Sequence, residues 1–441
     1  MTLAFVSAAV ARLGASDAAV MLRYEQGFLR IVIISAALVT CMYYCDLYDS
    51  SILRNQREIM TRLIQVLGVA CILLAILYYL YPSLELERGI LVIGLSLGAV
   101  MLFFWRRLFL MVNALPQFAE RTLIFGDSAI AELLASELRT RPELGIRVVG
   151  QLKGLEKSNG GQAAISLDEE VEALLSSVTP YKPDRVIVAF SERRGKLPVE
   201  ALLQLKSVGV QIQDGANLYE EITGKVHIET LRASCLLFSS EFRVSRPLLV
   251  YKRAASLVLS SIGLILTFPL MVLAAVAIRL DSAGPVIFRQ KRVGHGGELF
   301  TVYKFRTMFD RADDGDNHRP AEVSDVRFTR VGRWLRRTRI DELPQLINIL
   351  RGDMQFVGPR PFVINQEQEC VEKIPFYRQR WVVKPGATGW AQVNRGYNVT
   401  IDDNKEKLAY DLFYLKNISV GLDLLILLQT LKILLLGRGS R

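Results

Sequence analysis

Two adjacent carboxylates and an arginine between two prolines are the residues of this sequence best suited to chemistry. Asp341 and Glu342 stand side by side in "RIDELPQLINILRG", and Arg360 follows in "GPRP". A carboxylate can attack phosphorus and form an acyl phosphate, while its neighbour can hold a Mg²⁺ ion that neutralises phosphate charge. Arginine matches phosphate oxygens with two parallel hydrogen bonds. Together these residue types predict phosphoryl chemistry.

A simpler interpretation gives Asp341 a structural role at the start of a helix. The apolar residues that follow it have the spacing of one helix face; they are Leu343, Leu346, Ile347 and Leu350. Pro344 suits the first turn of such a helix. Asp341 would then lie near the N-cap and accept hydrogen bonds from backbone amides. On this stretch alone, capping is the favoured interpretation.

Further cations in the same half of the chain favour catalysis. Lys304 and Arg306 lie in "YKFRTM", and Arg336 lies in "RWLRRTRIDE". A helix N-terminus also attracts phosphate, because unpaired amides point there. A basic surface facing a membrane would explain some of these cations. It does not explain Arg360, whose backbone is restricted by a proline on each side. We therefore predict an anion-binding active site.

The composition indicates a membrane protein with an anionic partner. The chain has 441 residues, of which 51% are hydrophobic, and a formal net charge of +10. Such a charge suits nucleic acid, phospholipid head groups or a phosphorylated substrate. The five cysteines form no CxxC pair and there are three histidines, so we predict neither a zinc site nor a disulfide framework. The first 22 residues lack the pattern of a cleavable signal peptide.

Residues 1–115 predict a bundle of transmembrane helices. A bilayer needs roughly twenty apolar residues per helix, and residues 3–22 are a weaker, fourth candidate. The three clear runs are 28–44, 63–81 and 90–105. The loop "SILRNQREIMTR" and the exit at Arg106–Arg107 are basic, whereas the loop "PSLELERG" is acidic. By the positive-inside rule, the basic segments and the chain that follows them face the cytoplasm.

Residues 116–236 have the pattern of a Rossmann-like α/β domain. Strand patterns in "RTLIFG", "DRVIVAF" and "GVQIQD" alternate with helix patterns in "DSAIAELLASELRT" and "LPVEALLQLKSV". The glycines of a dinucleotide fingerprint are missing, because the sequence after Gly126 continues Asp-Ser-Ala-Ile-Ala. We therefore predict a regulatory or assembly domain rather than an NAD-binding one.

Residues 237–441 predict a mostly helical catalytic domain. It starts with an uncharged apolar run, within a predicted helix at about 252–280, that has basic residues on both flanks. Pro269 lies near the middle of the run, where it bends a helix. A re-entrant helix that enters and leaves the membrane on the cytoplasmic side fits both observations, and an ordinary kinked span is the alternative. The last apolar stretch, interrupted by Asp423, fits a helix lying in the membrane interface.

Six motifs from Tyr251 to the C-terminus resemble those of polyprenyl-phosphate sugar-1-phosphate transferases of the bacterial sugar transferase superfamily. They are "YKR", "GPVIFRQKRVG", "YKFRTM", "RTRIDELPQLINILRGDMQFVGPRP", "KPGATGWAQVN" and "KLAYDLFYLKNISVGLDLLILLQT". The upstream segments resemble the large monotopic members of this superfamily. "RRGKLPVEALLQLKSVGV" and "LLFSSEFR" resemble the subgroup associated with exosortase-type exopolysaccharide loci.

This resemblance implies a role for individual residues. Asp341 matches the nucleophile of the family, Glu342 its Mg²⁺-associated partner and Arg360 its phosphate-binding arginine. Further substrate- or phosphate-binding positions are implied at Lys304, Arg306, Arg336, Gln392 and Asp423. Two positions depart from the family pattern. Ser256 stands where an aspartate is common, and Arg395 with Gly396 replaces the usual Gly-Arg pair.

The resemblance also implies a reaction and a location. Family members take a UDP-sugar, form a covalent aspartyl intermediate, release UMP and pass the sugar phosphate to undecaprenyl phosphate, which starts an exopolysaccharide or related glycan. The implied setting is the bacterial inner membrane, with the catalytic domain facing the cytoplasm, Mg²⁺ as cofactor, membrane lipid as a partner, a homodimer as the candidate assembly and no nucleic acid. The alternatives are a polytopic phosphotransferase without a covalent intermediate and a non-enzymatic membrane scaffold or nucleotide sensor.

Overall fold

The computed structural model describes most of the chain in two compact units, Met1–Gln213 and Asp214–Arg441. The described residues are 1–24, 26–44, 56–113, 119–152, 175–190, 197–231, 236, 242, 245–309, 327–395 and 400–435. The predicted boundary between 236 and 237 and most of "LLFSSEFR" lie outside them, as does the first part of the basic loop "SILRNQREIMTR". The predicted domain boundaries stay predictions.

The first unit begins with helices rich in apolar residues. They are α1 (Thr2–Leu13), α2 (Ala15–Tyr24), α3 (Gly27–Tyr44), α4 (Gln56–Leu80) and α5 (Arg88–Asn113). Ile31, Ile34 and Leu38 of α3 are fully buried in a core shared with Phe5. A Cβ atom on Gly94 of α5 would lie 2.4 Å from the Phe5 ring, so the glycine lets these two helices pack closely.

Three helices of the described chain are long and apolar enough to cross a membrane. They comprise residues 27–44, 88–109 and 246–281, and residues 65–80 form a shorter apolar stretch. Residues 3–22, the candidate fourth span, are divided between two helices at Gly14, which has φ 84°. A span at that stretch stays a prediction.

A four-stranded sheet completes the first unit. Its elements are β1 (Glu120–Phe125), α6 (Ala129–Thr140), β2 (Ile146–Leu152), β3 (Arg185–Val188), α7 (Val199–Ser207) and β4 (Gln211–Asp214). The strand order is β2-β1-β3-β4, and β1 pairs in parallel with both β2 and β3. The sequence patterns predicted every one of these elements except β2. A Cβ atom on Gly126 would lie 2.0 Å from the carbonyl oxygen of Ala189, so this glycine serves the close approach of two strand ends.

The second unit is mostly helical, as predicted, with two small sheets. Its elements are α8 (Gly215–Thr223), α9 (Arg246–Asp281), β5 (Ile287–Val293), β6 (Leu299–Phe305), α10 (Arg330–Thr338), α11 (Gln345–Arg351), β7 (Gln355–Val357), α12 (Ile364–Lys373), β8 (Gly386–Thr388), α13 (Trp390–Asn394), α14 (Ile401–Lys416) and α15 (Val420–Leu435). Strands β5 and β6 form an antiparallel hairpin, and β7 pairs in parallel with β8. Cys370, Tyr377, Leu408 and Leu412 are the most deeply buried residues of its largest apolar cluster.

Helix α9 is one continuous helix of 36 residues with Pro269 inside it. The hydroxyl of Thr267 donates to the carbonyl of Gly263 at 2.7 Å. A hydrogen bond of this kind tends to bend a helix, and it lies next to the proline, which favours a bend as well. The side chains of Ile265, Leu266 and Phe268 are exposed by 75%, 74% and 65%. An exposed apolar surface of this kind is expected to contact lipid or another protein rather than water.

Candidate active site

Asp341 and Glu342 lie in a short 3₁₀ turn between α10 and α11. The turn comprises Ile340–Glu342 and follows Arg339, which has φ 56°. Helix α11 begins only at Gln345, its N-cap position is Pro344, and no side chain caps it. The capping interpretation of Asp341 is therefore wrong. The tighter turn also separates the two carboxylate side chains by about 120° rather than the 100° of an α-helix.

The buried face of α11 differs from the predicted apolar face. Gln345, Asn348 and Ile349 are buried, whereas Leu350 is exposed. Asn348 accepts a hydrogen bond from the amide of Tyr303 at 3.0 Å and donates to the carbonyl of Thr301 at 2.7 Å. These bonds attach α11 to β6, which carries Lys304. A polar residue therefore sets the face of this helix, because its side chain satisfies backbone groups of a neighbouring strand.

Glu342 is the centre of a cluster of cations. Its Oε1 atom lies 2.8 Å from Lys304 Nζ and 3.1 Å from Arg360 Nη2. Its Oε2 atom lies 4.0 Å from Arg339 Nη1. Burial alone would raise the pKa of Glu342, but Lys304 and Arg360 outweigh burial and hold the pKa well below its ordinary value. Glu342 is therefore a permanent anion that gathers cations contributed by three separate segments.

Asp341 has the opposite electrostatic balance. Burial and the negative charge of Glu342 raise its pKa from 3.8 to about 6, although Lys304, Arg336 and Arg360 act in the opposite direction. Two adjacent carboxylates thus have pKa values that are pushed apart by their surroundings. This is the arrangement expected when one carboxylate reacts and its neighbour stays ionised.

Arg360 is held by backbone hydrogen bonds on both sides of its loop. The amide of Gly358 donates to the carbonyl of Thr388 at 2.9 Å, and the amide of Gly386 donates to the carbonyl of Pro359 at 3.0 Å. These bonds continue the pairing of β7 with β8. The sheet thereby brings Arg360 to Glu342; a phosphate-binding role for Arg360 stays a prediction.

Arg306 lies away from this cluster. Its guanidinium donates to the carbonyls of Ser282 and Ala283 at 2.7 and 2.9 Å, at the end of α9. Arg306 therefore fixes the chain where it leaves the apolar helix. Its predicted contact with phosphate stays a prediction, and the observed hydrogen bonds also give it a structural role.

Gln392 and Arg395 belong to α13 and the residues that follow it. Gln392 donates to the carbonyl of Ala387 at 3.5 Å, while its buried Oε1 atom has no hydrogen-bond partner among the residues that the structure describes. Arg395 forms an ion pair with Glu406, which also pairs with Lys225 at 3.0 Å. Among the described residues, neither Gln392 nor Arg395 forms a hydrogen bond or an ion pair with Asp341 or Glu342. A substrate-binding role of Gln392 stays a prediction.

Asp423 forms a second buried cluster whose composition could not be anticipated from the sequence. Lys252 Nζ lies 2.5 Å from Asp423 Oδ2 and donates to Tyr414 Oη at 2.5 Å and to the carbonyl of Val357 at 3.3 Å. Tyr414 in turn donates to Asp423 Oδ1 at 2.7 Å. The charge of Lys252 is thus balanced by Asp423, although Ser256 replaces the aspartate that is common nearby. The "YKR" motif was the signal, but nothing in the sequence identified its partner.

We expect this cluster to stabilise the second unit. In Lys252→Met, the carboxylate of Asp423, whose side chain is 14% exposed, loses its cation; the loss of one partner of a largely buried ion pair destabilises proteins by roughly 3–5 kcal/mol. The melting temperature in detergent should fall by roughly 5–15 °C. The matched control is Lys373→Met, which breaks an exposed pair with Glu369 and should leave the melting temperature close to the wild-type value. Equal melting temperatures for the two variants would contradict the assignment.

The site and the fold together define a class of protein. A carboxylate pair surrounded by cations can bind an anionic group and attack it, and the same unit carries a long helix with an exposed apolar surface. These features describe a protein that handles phosphorylated compounds at a membrane.

Comparison with known sequences identifies the family. Residues 248–437 match the family model described as bacterial sugar transferase, and residues 44–213 match a model described as a CoA-binding domain. An N-acetylgalactosaminephosphotransferase of Aeromonas hydrophila, named for UDP-N-acetylgalactosamine and undecaprenyl phosphate, is 41% identical over 50% of this chain and 52% of its own length. The undecaprenyl-phosphate glucose phosphotransferase of Komagataeibacter xylinus is 35% identical over 73% of this chain and 60% of its own length.

A shorter relative is covered almost completely. The exopolysaccharide production protein PSS of Rhizobium leguminosarum bv. phaseoli is 39% identical over 41% of this chain and 94% of its own length. The chain belongs to the bacterial sugar transferase family, and the resemblance seen in its motifs is confirmed. The chain spans only about half to three fifths of the length of the first two relatives.

Proposed function

We propose that this protein transfers a sugar-1-phosphate from a UDP-sugar to undecaprenyl phosphate, releases UMP and so initiates an exopolysaccharide or related glycan. The names of two relatives contain undecaprenyl phosphate, and the name of a third refers to exopolysaccharide production. The observation that carries the proposal is the carboxylate of Asp341 next to Glu342, whose Oε1 atom lies 2.8 Å from Lys304 Nζ and 3.1 Å from Arg360 Nη2. This arrangement suits attack on a diphosphate.

In the first step, an oxygen of Asp341 attacks the phosphorus that bears the sugar. The bond between this phosphorus and the bridging oxygen breaks, and UMP leaves with the electron pair. The sugar phosphate is now joined to Asp341 as an acyl phosphate. In the second step, an oxygen of undecaprenyl phosphate attacks the same phosphorus. The bond between this phosphorus and the Asp341 oxygen breaks, its electron pair stays on that oxygen, and the carboxylate of Asp341 is restored.

The cations of the site have a defined part in both steps. Lys304 and Arg360 neutralise Glu342 in the free protein, so they are positioned before any substrate binds. A diphosphate that enters beside Glu342 offers further oxygens to the same donors. Preorganised cations of this kind stabilise charge that develops on the transferring phosphate. Glu342 therefore orients these cations and stays ionised throughout.

The residues fit a Mg²⁺ ion that arrives with the donor rather than one held in a protein cage. Mg²⁺ is usually bound by one or two carboxylates together with substrate phosphates and water. Among the described residues, no group of three or more histidine, cysteine, aspartate or glutamate side chains could hold an ion. Glu342 is the ligand in this proposal, with the phosphate oxygens of the donor as the others. The bound ion would neutralise charge on the diphosphate.

The contacts of α9 support a re-entrant course for this helix. Near its start, Lys252 and Arg253 donate to carbonyl groups of Val357 and Ile349. Just beyond its end, the chain is held by Arg306 of the same unit. A helix whose two ends bind one polar unit is expected to enter and leave the membrane on one face. That face is the cytoplasmic one in our proposal, since UDP-sugars are cytosolic. The assembly that we propose is a homodimer.

The test of the proposed function is UMP release from a panel of UDP-sugars in native membranes. Each donor is supplied with and without undecaprenyl phosphate and with and without Mg²⁺. Sustained release that requires both the lipid and the metal would support the transferase and would name the sugar. No release with any donor, from protein shown to be folded, would contradict it and favour the non-enzymatic scaffold.

We expect the reaction to lose activity in acid. The raised pKa of Asp341, about 6, means that the protein ionises this nucleophile only as the pH rises through 6. The value of kcat/KM, which reports the free enzyme, should fall about tenfold per unit below pH 6 and be level between pH 7 and 8. Samples returned from pH 5 to pH 7.5 should regain full activity. A constant kcat/KM between pH 5 and 7 would contradict the prediction.

A further inference from the structure

Arg380 is a buried arginine that donates a hydrogen bond to the main chain of the arginine between the two prolines. Its Nη2 atom lies 2.8 Å from the carbonyl oxygen of Arg360, and its side chain is 4% exposed. We infer that Arg380 is a positioning residue, which sets the direction of the Arg360 side chain and thereby the affinity of the site for the diphosphate of the donor. This inference rests on the proposed function and adds to it a residue that substrate does not reach.

Arg380 is itself fixed from several sides. Its Nη2 atom also lies 3.0 Å from Asp411 Oδ2, and its Nη1 atom lies 3.7 Å from Glu367 Oε2. Nη1 also donates to the hydroxyl of Tyr377, and the guanidinium lies 4.4 Å from the centre of the Phe362 ring. All these partners come from α12, α14 and the segments around them. A guanidinium with so many directed contacts has one available position.

The partners of Arg380 are held in turn. Glu367 is 3% exposed and accepts hydrogen bonds from Trp381 Nε1 at 2.5 Å and Tyr377 Oη at 3.2 Å. Asp411 is 2% exposed. Buried carboxylates of this kind are tolerated when a cation and hydrogen bonds compensate their lost hydration. The network therefore holds the guanidinium of Arg380, and through it the carbonyl of Arg360, in a fixed position relative to the helical core.

The loop around Arg360 has donors at consecutive carbonyls. The amide of Gly386 binds the carbonyl of Pro359 at 3.0 Å, and Arg292 donates to the carbonyl of Pro361. Arg380 supplies the donor for the residue between them. The prolines on both sides already restrict φ. The orientation of the peptide groups is still free to change, and these hydrogen bonds fix it. The guanidinium of Arg360 then reaches Glu342 at 3.1 Å without further ordering.

A direct role in substrate binding does not suit Arg380. The side chain is almost fully buried, and the contacts described above direct it toward protein groups. The side chain of Arg360 is more accessible, with 16% of its surface exposed. Arg380 would thus act on the reaction through Arg360, and the two residues should be energetically coupled.

A double-mutant cycle tests this coupling. Arg380→Lys keeps the positive charge beside Asp411 but loses the planar fork that reaches the Arg360 carbonyl as well. We expect Arg380→Lys and Arg360→Lys each to lower kcat/KM for the UDP-sugar roughly tenfold, because each weakens a charge-assisted hydrogen bond. The double variant should lie within about twofold of the weaker single variant. A multiplied loss of roughly a hundredfold would overturn the inference, and so would wild-type activity of Arg380→Lys.

Arg253→Lys is the matched control for this cycle. Arg253 also donates to backbone carbonyls, those of Ile349 and Leu350 at 2.7 and 2.8 Å, but these belong to α11. The losses of kcat/KM in Arg253→Lys and Arg360→Lys should multiply in the double variant, because the described hydrogen bonds of Arg253 go to the main chain of α11 whereas that of the Arg360 side chain goes to Glu342. Coupling of equal size in this control would show a general loss of folding and would overturn the inference.

A second variant covers the case in which Arg380→Lys fails to fold. Asp411→Asn keeps an acceptor for Arg380 but removes the charge that holds it, and its coupling to Arg360→Lys should have the same sign. The inference would be overturned if the losses of kcat/KM in Asp411→Asn and Arg360→Lys simply multiply in the double variant while the melting temperature of Asp411→Asn stays close to the wild-type value. Failure of the proposed function is recognised separately, since the wild-type protein would then release no UMP with any donor.

Discussion

Asp341→Asn is expected to abolish UMP release. Asparagine has nearly the shape of aspartate but cannot form the acyl phosphate, and removal of a catalytic nucleophile lowers kcat by roughly 10³–10⁶. The melting temperature should stay level or rise, because burial and Glu342 already disfavour the charge of Asp341. UMP release and thermal unfolding, measured on the same membranes, test both statements. Asp402→Asn, an exposed residue of α14, should have wild-type activity.

Trapping of the intermediate makes this test specific. Wild-type protein mixed with a UDP-sugar that carries ³²P in its β-phosphate, without undecaprenyl phosphate, should retain the label. Hydroxylamine should release it, since hydroxylamine cleaves acyl phosphates, and Asp341→Asn should retain none. Turnover by Asp341→Asn within tenfold of wild type, or a labelled wild type that resists hydroxylamine, would contradict the assignment of Asp341 as the nucleophile.

Glu342→Gln is expected to have the second-largest effect. Glutamine cannot neutralise Lys304 and Arg360, so these cations lose the charge that positions them. The loss of an oriented cation pair typically lowers kcat by roughly 10²–10³. The dependence of the remaining rate on Mg²⁺ concentration should weaken, because the proposed carboxylate ligand is gone. The rate measured across a Mg²⁺ titration in wild type and variant tests both effects.

The same variant carries a pH signature that a folding defect would not produce. The negative charge of Glu342 raises the pKa of Asp341, so its removal should lower that pKa. The acid limb of kcat/KM should therefore move to lower pH in Glu342→Gln. Glu369→Gln, which alters an exposed pair with Lys373, is the control and should leave the limb in place. A limb that moves to higher pH in Glu342→Gln would contradict the assigned electrostatics.

The sequence by itself determined the family and most of the element types of the first unit, and it predicts the chemistry. The residues 341–342 and 360 were identified because their types suit phosphate and their motifs are continuous stretches of chain. The apolar runs at 28–44 and 90–105 lie within helices of the structure, since hydropathy depends only on composition along the chain. Strand β2 was missed because "IRVVGQL" contains Gly150, which weakens the strand pattern.

The tertiary structure decided which charges meet. Arg306 and Lys304 are two residues apart, yet Arg306 binds the end of α9 whereas Lys304 binds Glu342. Lys252 pairs with Asp423 across 171 positions, and this pairing has no local signal. Arg380 lies in no motif that suggested a role for it, but its place beneath Arg360 follows from the packing of α12 and α14. Long-range pairing depends on how elements pack, and a pattern along the chain contains only neighbours in sequence.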